Sequence, residues 1–263
     1  MIELVVFLGN PGREYSHNRH NAGFLLAEKL PFFKDLSWQK KFKSYYAVMD
    51  RNRLTEYLPA ASAAGTTAAA ASTDAAGTGT DAASAAGTGA VAVLAAASVA
   101  AAPGSAIEGR LHFIKPETFM NKSGESAAAA ASFFKIKPAS ILVIHDELEL
   151  PLGTVSLKFG GGLGGHNGLR SMKASFGSAD FWRIRIGIGR PDSRLPGEGG
   201  PPGSGEGIVD WVLSDFDIAE KDSLDRVLKT GAELLFLTFV NDPERLLKEW
   251  AKKKIPEPLS ESG

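Results

Sequence analysis

The amino-acid sequence predicts an α/β layer fold in a single domain spanning residues 1–263. Short apolar runs of strand length alternate with stretches of helical periodicity along most of the chain. A length of 263 residues with 44% hydrophobic content lies in the ordinary globular range. No internal repeat of solenoid length breaks the alternation.

Taken in order, the strand candidates are Leu4–Leu8, Ser44–Met49, Leu111–Ile114, Ile141–His145, Thr154–Phe159 and Trp182–Ile188. The helix candidates are Asn21–Leu30, Gly124–Phe134, Asn167–Phe176, Ile218–Phe239 and Pro243–Lys253. Ser123 is the expected N-cap of the second helix, with Glu125 in the first turn where the dipole favours an acid. Leu224, Val227, Leu228, Ala232, Leu235 and Phe239 recur at helical spacing and predict a face packed on the core. Residues 60–105 are almost wholly Ala, Gly, Thr and Ser; so little apolar surface reads as an inserted low-complexity loop. Residues 191–207, rich in Pro and Gly, read as a surface loop.

Composition removes several classes of function. The chain has no cysteine, so thiol nucleophiles, thiolate metal sites and disulfides are excluded, and a reducing, cytoplasmic setting is expected. The first apolar run is too short to span a membrane and carries Glu3 where an export signal would be basic. A formal net charge of −1 argues against coating nucleic acid through bulk positive charge, while leaving room for a local basic patch.

The residues with chemical potential cluster after strands. Gly9-Asn10-Pro11-Gly12 follows the first strand and exposes Asn10 at the strand's carboxyl end, the edge where α/β sheets bind ligands. Arg19-His20-Asn21 comes next, with Ser16 or Asn18 placed to cap a helix; near a helix N-terminus His20 is expected to stay neutral, with a pKa of roughly 6.5 or below. A neutral imidazole serves as a general base. Asp146 ends the fourth strand, and because successive side chains alternate faces, His145 and Asp146 cannot both face one site. Asp146 is the better partner for His20, since a carboxylate accepting the ring N–H fixes the tautomer and stabilises an imidazolium.

Gly160–Gly165 then satisfies GxGxxG between a strand and a helix, which raises a dinucleotide-binding reading. Asp180 weakens it, because the ribose-binding acid should follow the next strand and Asp180 precedes it. The glycines still supply close backbone approach and a helix N-terminus suited to a phosphate or polarised carbonyl, with Asn167 adding an amide. Lys115–Gly124 joins a strand to a helix and presents Phe119, Met120 and Asn121; the two apolar residues fit either a core or a surface for an unstacked base.

Four segments, GNPGREYSHNRHNAGF (Gly9–Phe24), KPETFMNKSGES (Lys115–Ser126), HDELELPLG (His145–Gly153) and GGGLGGHNGLRS (Gly160–Ser171), together resemble bacterial peptidyl-tRNA hydrolase. RIRIGIGRP (Arg183–Pro191) is a fifth matching segment in the same order, and only the Ala/Gly/Thr insertion falls outside the likeness. The resemblance implies a three-layer fold, a twisted mixed β-sheet flanked by helices, with the insertion between two strands. It implies His20 as catalytic base, Asp146 as the acid that orients it, and Asn10 as a discriminator of blocked peptidyl from free aminoacyl groups. It further implies that Asn121 and Asn167 hold the peptide and the tRNA 3′ end, that Tyr15 and Phe119 line the terminal-nucleotide site with Met120 beside them, and that the enzyme is a cytoplasmic monomer needing no cofactor or metal. The partner is peptidyl-tRNA, gripped at its acceptor stem and 3′ end, with no membrane; Lys158, Arg185 and Arg190 are placed to meet phosphates. The chain departs from the family pattern at Asn18, where Thr is usual. A nicotinamide-dependent oxidoreductase, a non-catalytic RNA-binding module and a small-ester hydrolase are the rival readings; the last lacks a G-x-S-x-G nucleophile elbow.

Overall fold

Alternation along the first strand decides the layering. In β1 (Leu4–Phe7) every residue is buried, yet Val5 and Phe7 belong to one core while Leu4 and Val6 belong to another. A strand clothed on both faces needs side chains of both parities to be apolar, and a parallel environment supplies that. A computed structural model describes residues 1–57, 109–191 and 205–255 of the chain.

Within the described residues one sheet of eight strands has the order β2-β3-β4-β1-β5-β7-β6-β8. β2 is Gln39–Lys41, β3 Ser44–Asp50, β4 Arg110–Pro116, β5 Ile141–Glu147, β6 Thr154–Phe159, β7 Trp182–Gly187 and β8 Lys253–Lys254. The central strands β4, β1, β5 and β7 run parallel, and the strands outside them pair antiparallel, so the sheet is mixed. Helices α1 (Ala22–Ala27) and α5 (Lys221–Val240) cover one face, where Leu26, Leu228 and Leu235 share a core with Phe7, Ile144 and Ile186. Helices α2 (Ser123–Phe134) and α3 (Asn167–Phe176) cover the other, where Ala127, Ala130, Leu169 and Met172 meet Leu4, Val6 and Val143. Each large aliphatic side chain so buried contributes about 1.5–3 kcal/mol. Among the described residues no helix is long and apolar enough to cross a membrane.

The expected strands are all present, Thr154–Phe159 with both its ends and the others with shifted ends. β5 continues through Asp146 and Glu147 because β7 stays in register beside it, Asp146 opposite Ile186 and Glu147 opposite Gly187. The first helix is shorter than expected, and a 3-10 turn over Arg19–Asn21 leads into it. Ser123 is not an N-cap: a 3-10 turn over Met120–Lys122 runs straight into α2, and the N–H of Gly124 is met instead by the Ser171 hydroxyl of α3 at 2.9 Å. The expected loop 191–207 lies mostly outside the described residues, and its end is corrected: α4 (Gly205–Leu213) begins within it. A capping box of Asp217 and Glu220 precedes α5, and α6 (Pro243–Trp250) follows. The 60–105 insertion lies outside the described residues.

The GxGxxG reading fails on topology. A dinucleotide fingerprint follows a strand of a parallel βαβ unit, but β6, ahead of Gly160–Gly165, is antiparallel to β7 and lies towards the sheet edge.

Candidate active site

β1 and β5 are neighbours, Phe7 opposite Ile144, so the loop after β1 and the end of β5 open onto the same edge of the sheet. The turn carrying His20 is brought down onto that edge by Gly23: a Cβ there would lie 2.5 Å from the carbonyl oxygen of Leu8 and 2.7 Å from that of Ile144. Only a residue without a side chain lets α1 rest on the strand ends. His20, three positions earlier, then reaches Asp146, two positions beyond Ile144, with Nδ1 2.9 Å from Oδ1.

Both groups are buried, His20 at 7% and Asp146 at 3% exposure. For Asp146, burial opposes ionisation, but the facing His20 and His166 and their hydrogen bonds outweigh it and hold the carboxyl well below its usual range. An ionised carboxylate makes Nδ1 of His20 the donor and leaves Nε2 with no partner among the described residues. Burial also pulls the His20 imidazolium down, yet the charge and hydrogen bond of Asp146 prevail, so the pKa is raised above 6.5. This corrects the expectation of 6.5 or below: a carboxylate at hydrogen-bond distance outweighs a short 3-10 turn.

His166, which the sequence places in the glycine-rich run, stands on the same oxygen as His20, Nε2 3.0 Å from Asp146 Oδ1. It is also the N-cap of α3, its Nδ1 accepting from the N–H groups of Gly168 at 3.0 Å and Leu169 at 3.4 Å. An acceptor Nδ1 puts the ring proton on Nε2. Histidine is not among the residues that announce a cap, so the sequence carried no signal for this role. His145, as alternation required, does not line the cleft; its Nδ1 bonds the Asp146 carbonyl at 2.6 Å and its ring meets His166 edge-on.

A cavity of about 320 Å³ opens beside the pair. Glu147, Arg170, Arg190 and Asn167 line its polar side, and Ile208, Val209 and Val212 of α4 form an apolar wall. Arg19, adjacent to His20, ties down that wall: its guanidinium stacks 3.8 Å from the Trp211 ring, bonds Ser214 and the Asp215 carbonyl, and pairs with Glu220 at 2.5 Å. The wall and Arg19 were missed because α4 is short, begins among glycines and is held by tertiary contacts.

The remaining sequence-predicted residues divide. Asn10 sits in an amide exchange, its N–H bonding Asn21 Oδ1 at 2.8 Å and its own Oδ1 accepting from Met120 N–H at 2.8 Å, and its Nδ2 has no partner among the described residues. Tyr15 and Phe119 meet edge to face at 6.4 Å, with Phe119 57% exposed. Asn121 and Asn167 are exposed, Asn167 accepting from Arg170 at 3.4 Å. Met120 is corrected: it is 4% exposed and packed in the core beneath α3, leaving no side-chain surface for a ligand.

An imidazole held by a buried carboxylate at the carboxyl ends of parallel strands, beside an open cleft, is the arrangement of an α/β-fold hydrolase. The model of the family described as peptidyl-tRNA hydrolase matches residues 4–61 and 83–258. The chain belongs to the peptidyl-tRNA hydrolase family. It is 36% identical over 257 residues to a peptidyl-tRNA hydrolase of Treponema pallidum (strain Nichols), covering 97% of this chain and 96% of that protein. It is similar to the crystal structure of peptidyl-tRNA hydrolase from Acinetobacter baumannii, with a TM-score of 0.64 and 26% identity over 95% of this chain and 94% of that one. A peptidyl-tRNA hydrolase in complex with N-propanol matches with a TM-score of 0.65 and 26% identity, covering 97% of both chains.

Proposed function

We propose that the chain hydrolyses the ester between a peptide and the ribose of a tRNA 3′ end, with His20 as the base. The observation that carries this is the 2.9 Å contact between His20 Nδ1 and Asp146 Oδ1, which leaves Nε2 without a partner among the described residues on a ring that lines the cleft. Nε2 takes a proton from water as the oxygen attacks the ester carbonyl. The imidazolium, held by Asp146, returns that proton to the departing ribose hydroxyl. Base catalysis of this kind is worth about 10²–10⁴ in rate. The free Nδ2 of Asn10 is an oxyanion donor within the same strand-end region, a contribution of about 3–4 kcal/mol when well placed.

The peptide is assigned to the apolar wall of Ile208, Val209 and Val212, and the 3′-terminal base to Tyr15 and Phe119. Lys158 stands near Arg183 and Arg185, and burial together with those two charges lowers its pKa, while Arg190 lines the cleft and pairs with Glu149. Such a cluster favours an anion, which supports an acceptor-stem phosphate there. Asn121 and Asn167 add exposed amides. A cytoplasmic monomer is proposed with this reading, the cysteine-free sequence supporting a reducing compartment.

His20, Asp146 and His166 have the spacing of a metal-ligand set. The donors argue otherwise. With Nδ1 of His166 accepting from two amides, a cation on Nε2 would require an imidazolate. Water activation is therefore assigned to His20 alone, and turnover should survive exhaustive chelation.

The deciding experiment offers N-blocked and unblocked aminoacyl-tRNA in parallel and follows release of the acyl group. Rapid cleavage of the blocked substrate alone supports the reading; cleavage of neither overturns it.

A further inference from the structure

The two imidazoles on Asp146 have different duties. His20 faces the cleft with a free Nε2, whereas His166 has both ring nitrogens engaged, Nδ1 on the α3 amides and Nε2 on the carboxylate. The His166 ring is also gripped from its sides, 4.8 Å from His20 and 5.0 Å from His145 between ring centres. A Cβ on Gly168 would lie 3.0 Å from its Cε1, so the first turn of α3 closes against it.

Building on the proposed reaction, we propose that His166 is a positioning residue: by donating Nε2–H to the oxygen that also receives His20, it fixes the Asp146 carboxylate and limits that carboxylate's grip on the His20 proton. Two donors on one oxygen stabilise the anion and lower its basicity. A carboxylate with His20 as sole donor would hold the imidazolium more tightly and turn more freely about its own side-chain bonds. The base would then stay protonated to higher pH and point less accurately at water. The other groups around His20 are Glu147 on β5, Arg170 on α3 and Arg190 after β7, with His145 beneath His166 and Arg19 engaged by Glu220. None of these touches Asp146 Oδ1.

Two substitutions separate the cap from the carboxylate bond. Asn is a good N-cap, so His166→Asn keeps the α3 bonds and deletes the donor to Asp146. His166→Gln keeps an Nε2–H of similar reach and forfeits the cap. The test combines imidazole ¹⁵N NMR, tractable with five histidines, with pH–rate profiles on N-blocked aminoacyl-tRNA. Wild-type protein should show Nε2–H on His166 and Nδ1–H on His20. In His166→Asn the His20 titration and the acid limb of kcat/KM should both move up by about half a unit to one unit. kcat should fall about tenfold with KM within about twofold of wild type. His166→Gln should return the limb towards wild type while lowering the unfolding midpoint.

A His166 proton on Nδ1 in the wild type, or a His20 titration unchanged in His166→Asn, overturns the proposal, and the first needs no variant to fold. If wild-type protein shows these titrations but releases no acyl group, the functional reading fails while the positioning role stands.

Discussion

A side chain on Gly23 would meet the carbonyl oxygen of Ile144 at 2.7 Å, so the helix that follows His20 rests directly on the strand that carries Asp146. Gly23→Ala should therefore act twice. Overpacking costs about 1–3 kcal/mol, read in denaturant unfolding. A shift of about 1 Å between His20 and Asp146 should lower turnover about a hundredfold, more than the lost stability explains at a temperature where the variant remains folded. Full turnover in a folded Gly23→Ala protein would mean that this contact does not set the pair.

His20→Ala removes the proposed base and Asp146→Asn removes the charge that holds it. Each should lower kcat about 10²–10⁴-fold while leaving tRNA affinity within a fewfold, measured by filter binding beside single-turnover hydrolysis. Equal losses of binding and rate would assign the pair to recognition instead.

The wild-type pH profile follows from the sign of the His20 shift. The base works when neutral and its pKa is raised, so kcat/KM should climb with pH through a midpoint above 6.5 and then level. A midpoint below that value would mean that Asp146 does not prevail over burial in the free enzyme.

Arg19 offers a test of the cleft wall. Arg19→Met keeps bulk between Trp211 and Phe216 but deletes the ion pair to Glu220, which keeps only its bond from the Asp217 N–H, and the bond to the Asp215 carbonyl. Loss of the buried pairing should cost about 2–4 kcal/mol. At a temperature where the variant stays folded, KM for long peptides should rise more than KM for a single blocked amino acid, because α4 supplies the apolar wall.

Far from the cleft, His112 stacks on Phe134 at 3.9 Å, with Tyr46 Oη 2.9 Å from its Nδ1. Burial, helped by Arg110 and Lys41, lowers its pKa to about 4. The unfolded chain takes up this proton near 6.5 and the folded chain does not until about 4, so stability should fall across that interval as pH drops. The loss should be about 2 kcal/mol. His112→Gln should flatten that part of the stability curve, measured as unfolding free energy at pH 7 and pH 4.5.

Much of the fold was legible because it rests on pattern. Runs such as Leu4-Val5-Val6-Phe7 and Ile141–Ile144, apolar at every position, announce strands buried on both faces, and the long periodic segment before Phe239 announces α5. His20 and Asp146 were paired in the sequence because Asp146 stands at the end of a strong strand, His20 lies in the connection after another, and both fall in segments that resemble one family; the structure sets them 2.9 Å apart. Of the two residues read as possible caps, Ser16 and Asn18, Asn18 holds the N-cap position of the Arg19–Asn21 turn, but its side chain donates to the Leu213 carbonyl and helps pin α4, a contact joining positions almost two hundred residues apart. Helix α4 was invisible for the same reason: its stability comes from the Trp211 bond to Gly189 and the stack on Arg19, not from local propensity.

The sequence by itself determined the strands and their two apolar faces and pointed to His20 and Asp146 as a pair, since hydrophobic periodicity and residue type are local properties. Only the tertiary structure decided that His166 shares an oxygen with His20, that Met120 is core and that α4 walls the cleft. Those facts depend on the packing of distant segments around Asp146, where the placement of one carboxylate oxygen relative to two rings sets which nitrogen carries a proton.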